Sequence, residues 1–178
     1  MAQATRSSIN TDLMEQLLDI APMTPTIGAV INNVDMSKPC SADLVSALRE
    51  ALLTYKVIFF RDQDLTSEQQ IEFAKNFGEL EVHPFAPHKE GYPEVLAITH
   101  DKDHPGKENV WHSDVTWREI PSLGSILRGV ELPPTGGDTL FSDSYAAYEG
   151  LTDNVKKKIE GAVAVHDFAH FRKMMVAK

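Results

Sequence analysis

A single cysteine, Cys40, occurs in the 178 residues, so no disulfide can close within the chain. It sits beside Pro39, just ahead of a helix signal. Nothing next to it in sequence would lower a thiol pKa, so it reads as structural. No apolar run approaches the roughly 18 residues of a membrane span. The opening "MAQATRSSINTDL" is too polar for the apolar centre of a secretory signal. Together these absences set a reducing cytoplasm as the expected location and give no reason to expect a membrane partner. Basic residues are also scarce: 17 Lys and Arg stand against 26 Asp and Glu, for a net charge of −9. Nucleic-acid surfaces carry a basic patch, so no nucleic-acid partner is expected. The only lysine run, Lys156 to Lys158, reads as the solvated face of a helix. No glycine-rich loop follows a strand and opens a helix, which argues against a nucleotide-binding fold. Gly136 and Gly137 in "TGGDT" read as a turn.

What is present fits a soluble globular protein, with 42% hydrophobic and 24% charged residues. The length suits one domain with a real core. The first 24 residues are weakly patterned and read as an N-terminal arm or a short helix. "TPTIGAVINNVDM" (24–36) alternates and is rich in β-branched residues, which predicts strand and turn. Ser41 opens a helix whose Leu44, Val45, Leu48, Ala51 and Leu52 share one apolar face. "VIFF" (57–60) predicts a buried strand. Thr66, with Gln69 three residues on, has the spacing of a capping box, and Gly78 is the expected stop of that helix. Short strands are predicted over 94–99, 110–117, 125–130, 138–143 and 162–168, separated by turns such as "DHPGKEN" and "LPPTGG". "SYAAYEGL" and "TDNVKKKIEG" predict helices, the second with Thr152 as N-cap. The order is α+β, and its short, spaced strands suggest a sandwich or barrel.

The chemistry gathers in "NVWHSDVTW" (109–117), which contains both tryptophans of the chain, Trp111 and Trp117. In a strand, side chains alternate between faces, so His112 and Asp114 would share one face with Cβ atoms about 7 Å apart. Trp111, Val115 and Trp117 would anchor the other face in a core. An imidazole and a carboxylate that converge can both reach one divalent ion. They make two-thirds of the two-histidine, one-carboxylate set that holds iron(II) with open positions. A zinc hydrolase would draw on the same residue types. A His hydrogen-bonded to a neighbouring Asp, with no metal, is the plain alternative. The pair by itself does not separate these readings.

Longer motifs do. "IGAVINNVD", "YKVIFFRDQDLTSEQQIEFAKNFGEL", "HPFAPHKEG", "NVWHSDVTW", "LPPTGGDTLFSDSYAAYEGL" and "VHDF" follow one another in the order and spacing of a known family. From about residue 25 onward the chain resembles the taurine dioxygenase (TauD/TfdA) family of iron(II)- and 2-oxoglutarate-dependent oxygenases. The resemblance implies a double-stranded β-helix, or jelly-roll, with flanking helices over 25–178. It implies Fe(II) held by His112 and Asp114, 2-oxoglutarate contacted by Thr139, and a small substrate met by His83 and Val115. The implied reaction uses O2 and 2-oxoglutarate to hydroxylate the carbon beside a sulfonate or sulfate ester, with loss of sulfite or sulfate. Homo-oligomers are common in the family.

Departures from the family pattern bear on the substrate. Taurine-selective members carry a tyrosine where this chain has Ala86, and an asparagine where it has Glu108, with Asn109 next to it. Both changes favour a larger, less polar sulfonate or sulfate ester over taurine. The family domain also runs on past the point matched by Lys178, through a distal iron-binding histidine and an arginine that pairs with 2-oxoglutarate. His166, His170 and Arg172 match no such motif. The expectation is therefore the N-terminal part of a dioxygenase domain, incomplete in its last strands. A catalytically inactive fragment, or a binding module without the chemistry, is the alternative.

Overall fold

In the computed structural model, Ser41 and Thr66 set the two central helices. The structure describes residues 8–83, 86–101, 103, 106 and 111–167. Helix α1 spans Ser8–Leu17, strand β1 Ile20–Pro22, strand β2 Ala29–Ile31 and helix α2 Ala42–Tyr55. Strand β3 (Ile58–Phe60), helix α3 (Ser67–Lys75), and strands β4 (His88–Lys89) and β5 (Tyr92–Leu96) follow. Two short helices, α4 (Ser144–Glu149) and α5 (Asp153–Ile159), close the order. The architecture is mixed helix and sheet. None of the helices among the described residues is long and apolar enough to cross a membrane.

The chain divides into two units, 1–96 with 131–150 and 97–130 with 151–178. In the first, the three-stranded sheet has the order β1-β2-β3. β1 runs antiparallel to β2 with Ile20 opposite Ile31, and β2 runs parallel to β3 with Ile31 opposite Phe60. Parallel neighbours need a long crossover, and α2 supplies it. The Ser41 hydroxyl accepts the Leu44 amide at 3.2 Å, which satisfies one of the donors a helix start leaves open. The predicted apolar face of α2 is the one that packs: Leu48 and Ala51 are buried, joined by Ala47. They meet Met14, Leu18, Ile31, Val34, Met36, Leu65 and Phe73 in one core. Of the arm or short helix expected over the first 24 residues, 8–22 form a short packed helix and an edge strand. Met14 and Leu18 lie one helical turn apart, and that spacing seats both in the core.

The capping box of α3 is complete: Gln69 donates its amide to Thr66 Oγ1 at 3.3 Å, and its side chain accepts the Thr66 amide at 2.8 Å. The helix ends at Lys75, three residues before Gly78. Behind it, Phe73 stands edge-on to Phe60 with ring centres 5.9 Å apart. The β4–β5 hairpin has no counterpart in the predicted elements beyond the strand expected over 94–99. Gly91, at φ 80, lies in its turn, and Lys89 fastens it to α3 through a 2.6 Å bond to the buried Ser67 hydroxyl. Tyr92 adds a hydrogen bond to the Glu68 carboxylate, which holds that carboxyl down to about 2. Cys40 is half-buried, and burial pushes its thiol up, away from the reactive thiolate.

Elsewhere the predicted strands are not formed. Among the described residues, 111–117, 125–130, 138–143 and 162–167 carry no strand. Val110 and Phe168 lie outside those residues. A β-former run becomes a strand only against a ladder partner, and none of these stretches has one among the described residues. In the second unit, Ile98, Trp111, Ile120, Leu127, Val130, Val163 and Val165 are exposed. Thr152 stands at the N-cap of α5 with extended backbone, but its hydroxyl makes no capping bond.

Candidate metal-binding turn

His112 and Asp114 belong to the second unit, and the backbone beneath them turns. Residues 114–117 form a turn closed by the Arg118 amide on the Val115 carbonyl at 3.0 Å. Val115 adopts φ 47, in the left-handed region that a β-branched residue rarely enters. Among the described residues no strand forms over 111–117, so the expected two-faced strand is corrected to an irregular segment running into a turn. The expected apolar anchor changes with it. Trp111 is 71% exposed, and Trp117 is half-buried with the Arg118 guanidinium 5.1 Å from its ring centre.

The turn brings the two candidate ligands together. His112 Nε2 lies 3.3 Å from Asp114 Oδ1. The other carboxylate oxygen, Oδ2, accepts the Ser125 hydroxyl at 3.2 Å. Thr116, two residues on, pairs its hydroxyl with His166 Nδ1 at 2.8 Å. Ser125 and His166 had no signal in the sequence as partners of this turn, because they lie 11 and 50 residues from the side chains they meet.

The donor set can be tested against a divalent ion. Histidine nitrogen and carboxylate oxygen sit about 2.0 to 2.2 Å from such a metal, which puts two neighbouring donor atoms roughly 3.0 to 3.4 Å apart. The observed 3.3 Å falls within that range. Both side chains are more than half exposed, so an ion could reach them from solvent. Among the described residues, no third His, Cys, Asp or Glu joins the pair in a metal-sized group. His166 contacts Thr116 and is not gathered with the pair.

The other candidates are distributed between the units. Val115 is half-buried in the turn itself. His83 lies in the first unit, half-buried, with Nδ1 accepting the Ala86 amide at 2.9 Å. Thr139, also in the first unit, is exposed and follows Gly136 and Gly137, whose φ values of 79 and 74 lie in the region that favours glycine; the chain bends just before them, at 134 and 135. Glu108, Asn109, His170 and Arg172 lie outside the described residues.

Residues 19–175 match the family described as taurine catabolism dioxygenase TauD, TfdA family. The chain belongs to that family. The alpha-ketoglutarate-dependent sulfate ester dioxygenase of Pseudomonas putida is 39% identical over 150 residues, covering 84% of this chain and 49% of that protein. The alkylsulfatase of Acinetobacter baylyi is 37% identical over 152 residues, covering 85% of this chain and 47% of that protein. A crystal structure of a taurine dioxygenase from Burkholderia xenovorans superposes with a TM-score of 0.72 at 37% identity, over 81% of this chain and 51% of the other. The chain spans about half the length of the relatives it matches.

Proposed function

We propose that the protein acts as an iron(II)- and 2-oxoglutarate-dependent dioxygenase, with a small sulfate ester or sulfonate as substrate. The observation that carries this reading is the family match over 19–175. Support for the substrate class comes from the two bacterial relatives, whose names are an alkylsulfatase and a sulfate ester dioxygenase. Ala86, where taurine-selective members carry tyrosine, fits a bulkier and less polar substrate than taurine. The accompanying fold reading is a family domain over 25–178, built on a double-stranded β-helix. The cytoplasm is its location in this reading.

His112 and Asp114 are the two iron ligands in this reading. Bound iron and 2-oxoglutarate supply oxygen activation, which the protein's own side chains cannot. The chain's task is to hold donors and exclude wrong geometry. Asp114 presents Oδ1 beside the imidazole while Ser125 holds Oδ2, a second contact that fixes the carboxylate rotamer. By the family resemblance, Thr139 would contact a 2-oxoglutarate carboxylate, and His83 and Val115 would meet the substrate.

Manganese(II) is a spectroscopically convenient substitute for iron(II) at oxygen-rich and imidazole sites. Paramagnetic titration of the purified protein should show a bound fraction that falls at least tenfold in affinity in both His112→Ala and Asp114→Ala. Equal binding by the wild type and the two variants would remove the ligand assignment. Substrate-stimulated succinate release, compared between a medium-chain alkyl sulfate and taurine, tests the substrate class, and a preference for taurine would overturn it.

A further inference from the structure

Thr139 sits between two features that fix the path of its segment. On one side Gly136 and Gly137 take successive positive φ values, which glycine adopts without strain. On the other side the segment is tied down twice. Phe141 stands edge-on to Phe59, beside the β3 sheet position, with centroids 6.0 Å apart. Asp143 is buried, its side chain only 5% exposed, and its Oδ2 lies 3.2 Å from Lys56 Nζ.

The Lys56 ammonium has more than one role. It also donates to the Thr26 carbonyl at 2.7 Å, so one cation joins the β1–β2 connection, the end of α2 and the Thr139 segment. Lys56 itself is held in place: it is the C-cap of α2, at φ 64, with its amide on the Leu52 carbonyl at 2.7 Å. Asp143 Oδ1 accepts the Tyr145 amide at 2.9 Å and so caps α4. Burial works to raise the Asp143 carboxyl, but the Ala146 amide, Lys56 and the Tyr145 amide outweigh it and hold the carboxyl below its usual range. A buried carboxylate is stable only when paired and hydrogen-bonded, and Asp143 has both kinds of partner. All of these residues lie within the first unit.

We propose that Lys56 and Asp143 form a latch that positions the Thr139 segment for 2-oxoglutarate. The proposal rests on the reading of Thr139 given above. Neither residue touches the cosubstrate; both act through the chain between Gly137 and Asp143. The latch does two separable jobs, since the carboxylate both caps α4 and pairs with Lys56. Asp143→Asn keeps an oxygen for the cap and deletes the ion pair. Lys56→Met deletes the pair from the other side.

The test is calorimetric titration of 2-oxoglutarate into the full chain loaded with manganese(II), alongside urea unfolding of each variant. Asp143→Asn and Lys56→Met should each weaken 2-oxoglutarate binding at least fivefold. The double variant should be no weaker than Lys56→Met alone, because that variant has already lost the ion pair along with the Thr26 contact. Lys56→Arg should recover most of the affinity. Thr139→Val serves as the control. If it weakens binding while the latch variants bind as the wild type does, the latch falls and the reading of Thr139 stands. If Thr139→Val binds normally, or the wild type binds no 2-oxoglutarate, that reading falls and the latch falls with it. Losses that multiply in the double variant, or an Arg variant as weak as Met, also overturn the proposal, since either would mean general loosening of the fold.

Discussion

Truncating Leu48 to alanine should cost the first unit about 3 kcal/mol, within the roughly 2 to 5 kcal/mol seen for buried leucines. Leu48 is fully buried near the middle of α2, inside the core formed with Met14, Leu18, Ile31 and Phe73. The substitution removes three carbons, each worth about 0.8 kcal/mol when buried. A cavity term adds to this wherever the surroundings fail to collapse, at about 24 cal/mol per Å³ of void. Collapse is hindered here because Ala47 and Ala51 flank the site on the same rigid helix and have no atoms to spare. Leu123→Ala is the matched control. Leu123 is 59% exposed in the second unit, and its truncation should change stability by no more than about 0.5 kcal/mol. Urea unfolding followed by circular dichroism reads both as midpoint shifts at constant slope. If Leu48→Ala lies within about 1 kcal/mol of the wild type, or the two variants shift equally, the core is not where the structure puts it.

Two further outcomes follow from single residues. Val115→Gly removes a side chain from a left-handed backbone that costs about 1 to 3 kcal/mol for an ordinary residue. The lost packing and the added freedom of glycine oppose that relief, so amide exchange over 111–120 should change by less than about tenfold; faster exchange beyond that would show that packing outweighs backbone strain at Val115. Glu68 titrates at about 2 against 4.5 when free, so its contribution is present above pH about 4.5 and is lost as pH falls toward 2. The β4–β5 hairpin should lose its hold on α3 over that window, seen as faster exchange at 92–96, and Glu68→Gln should abolish the pH dependence; a wild-type hairpin indifferent to acid would refute the assignment.

The legible parts of the fold are those whose determinants lie within a few residues of each other. Ser41 with Leu44, and Thr66 with Gln69, each place a hydroxyl three residues ahead of the amide it caps, and both caps are found. The β2-α2-β3 unit was readable because an amphipathic helix lay between two apolar β-former runs. Among the described residues, the strands expected over 111–117, 125–130, 138–143 and 162–167 fail for the opposite reason. Their composition suits a strand, but a strand also needs a partner, and composition does not say where one is. The hairpin at 88–96 was hidden by its charges, since "HKEGY" has no apolar alternation and only Gly91 marks the turn. At the candidate site, spacing identified His112 and Asp114 but gave the wrong backbone beneath them. Ser125 and His166 could not be found at all, because their contacts are set by the fold and not by any local pattern.

The wrong backbone is also the informative one. On a flat strand, His112 and Asp114 would stand side by side about 7 Å apart at their Cβ atoms, and their side chains would run parallel. Bringing the donor atoms to 3.3 Å then requires each to lean toward the other along the chain. Among the described residues no strand forms over 111–117, so no ladder holds the carboxylate side chain upright and it leans to the imidazole. Both Asp114 oxygens are then engaged, one beside His112 and one by Ser125, so the carboxylate can meet an ion without first choosing a rotamer. The residue at 115 therefore matters through its backbone as well as its side chain. A glycine there keeps the turn and removes the wall. A proline, with φ locked near −65°, would undo the turn that carries the chain from Asp114 to Arg118. Of the two, only the proline variant should lose the turn, read as faster amide exchange over 115–118.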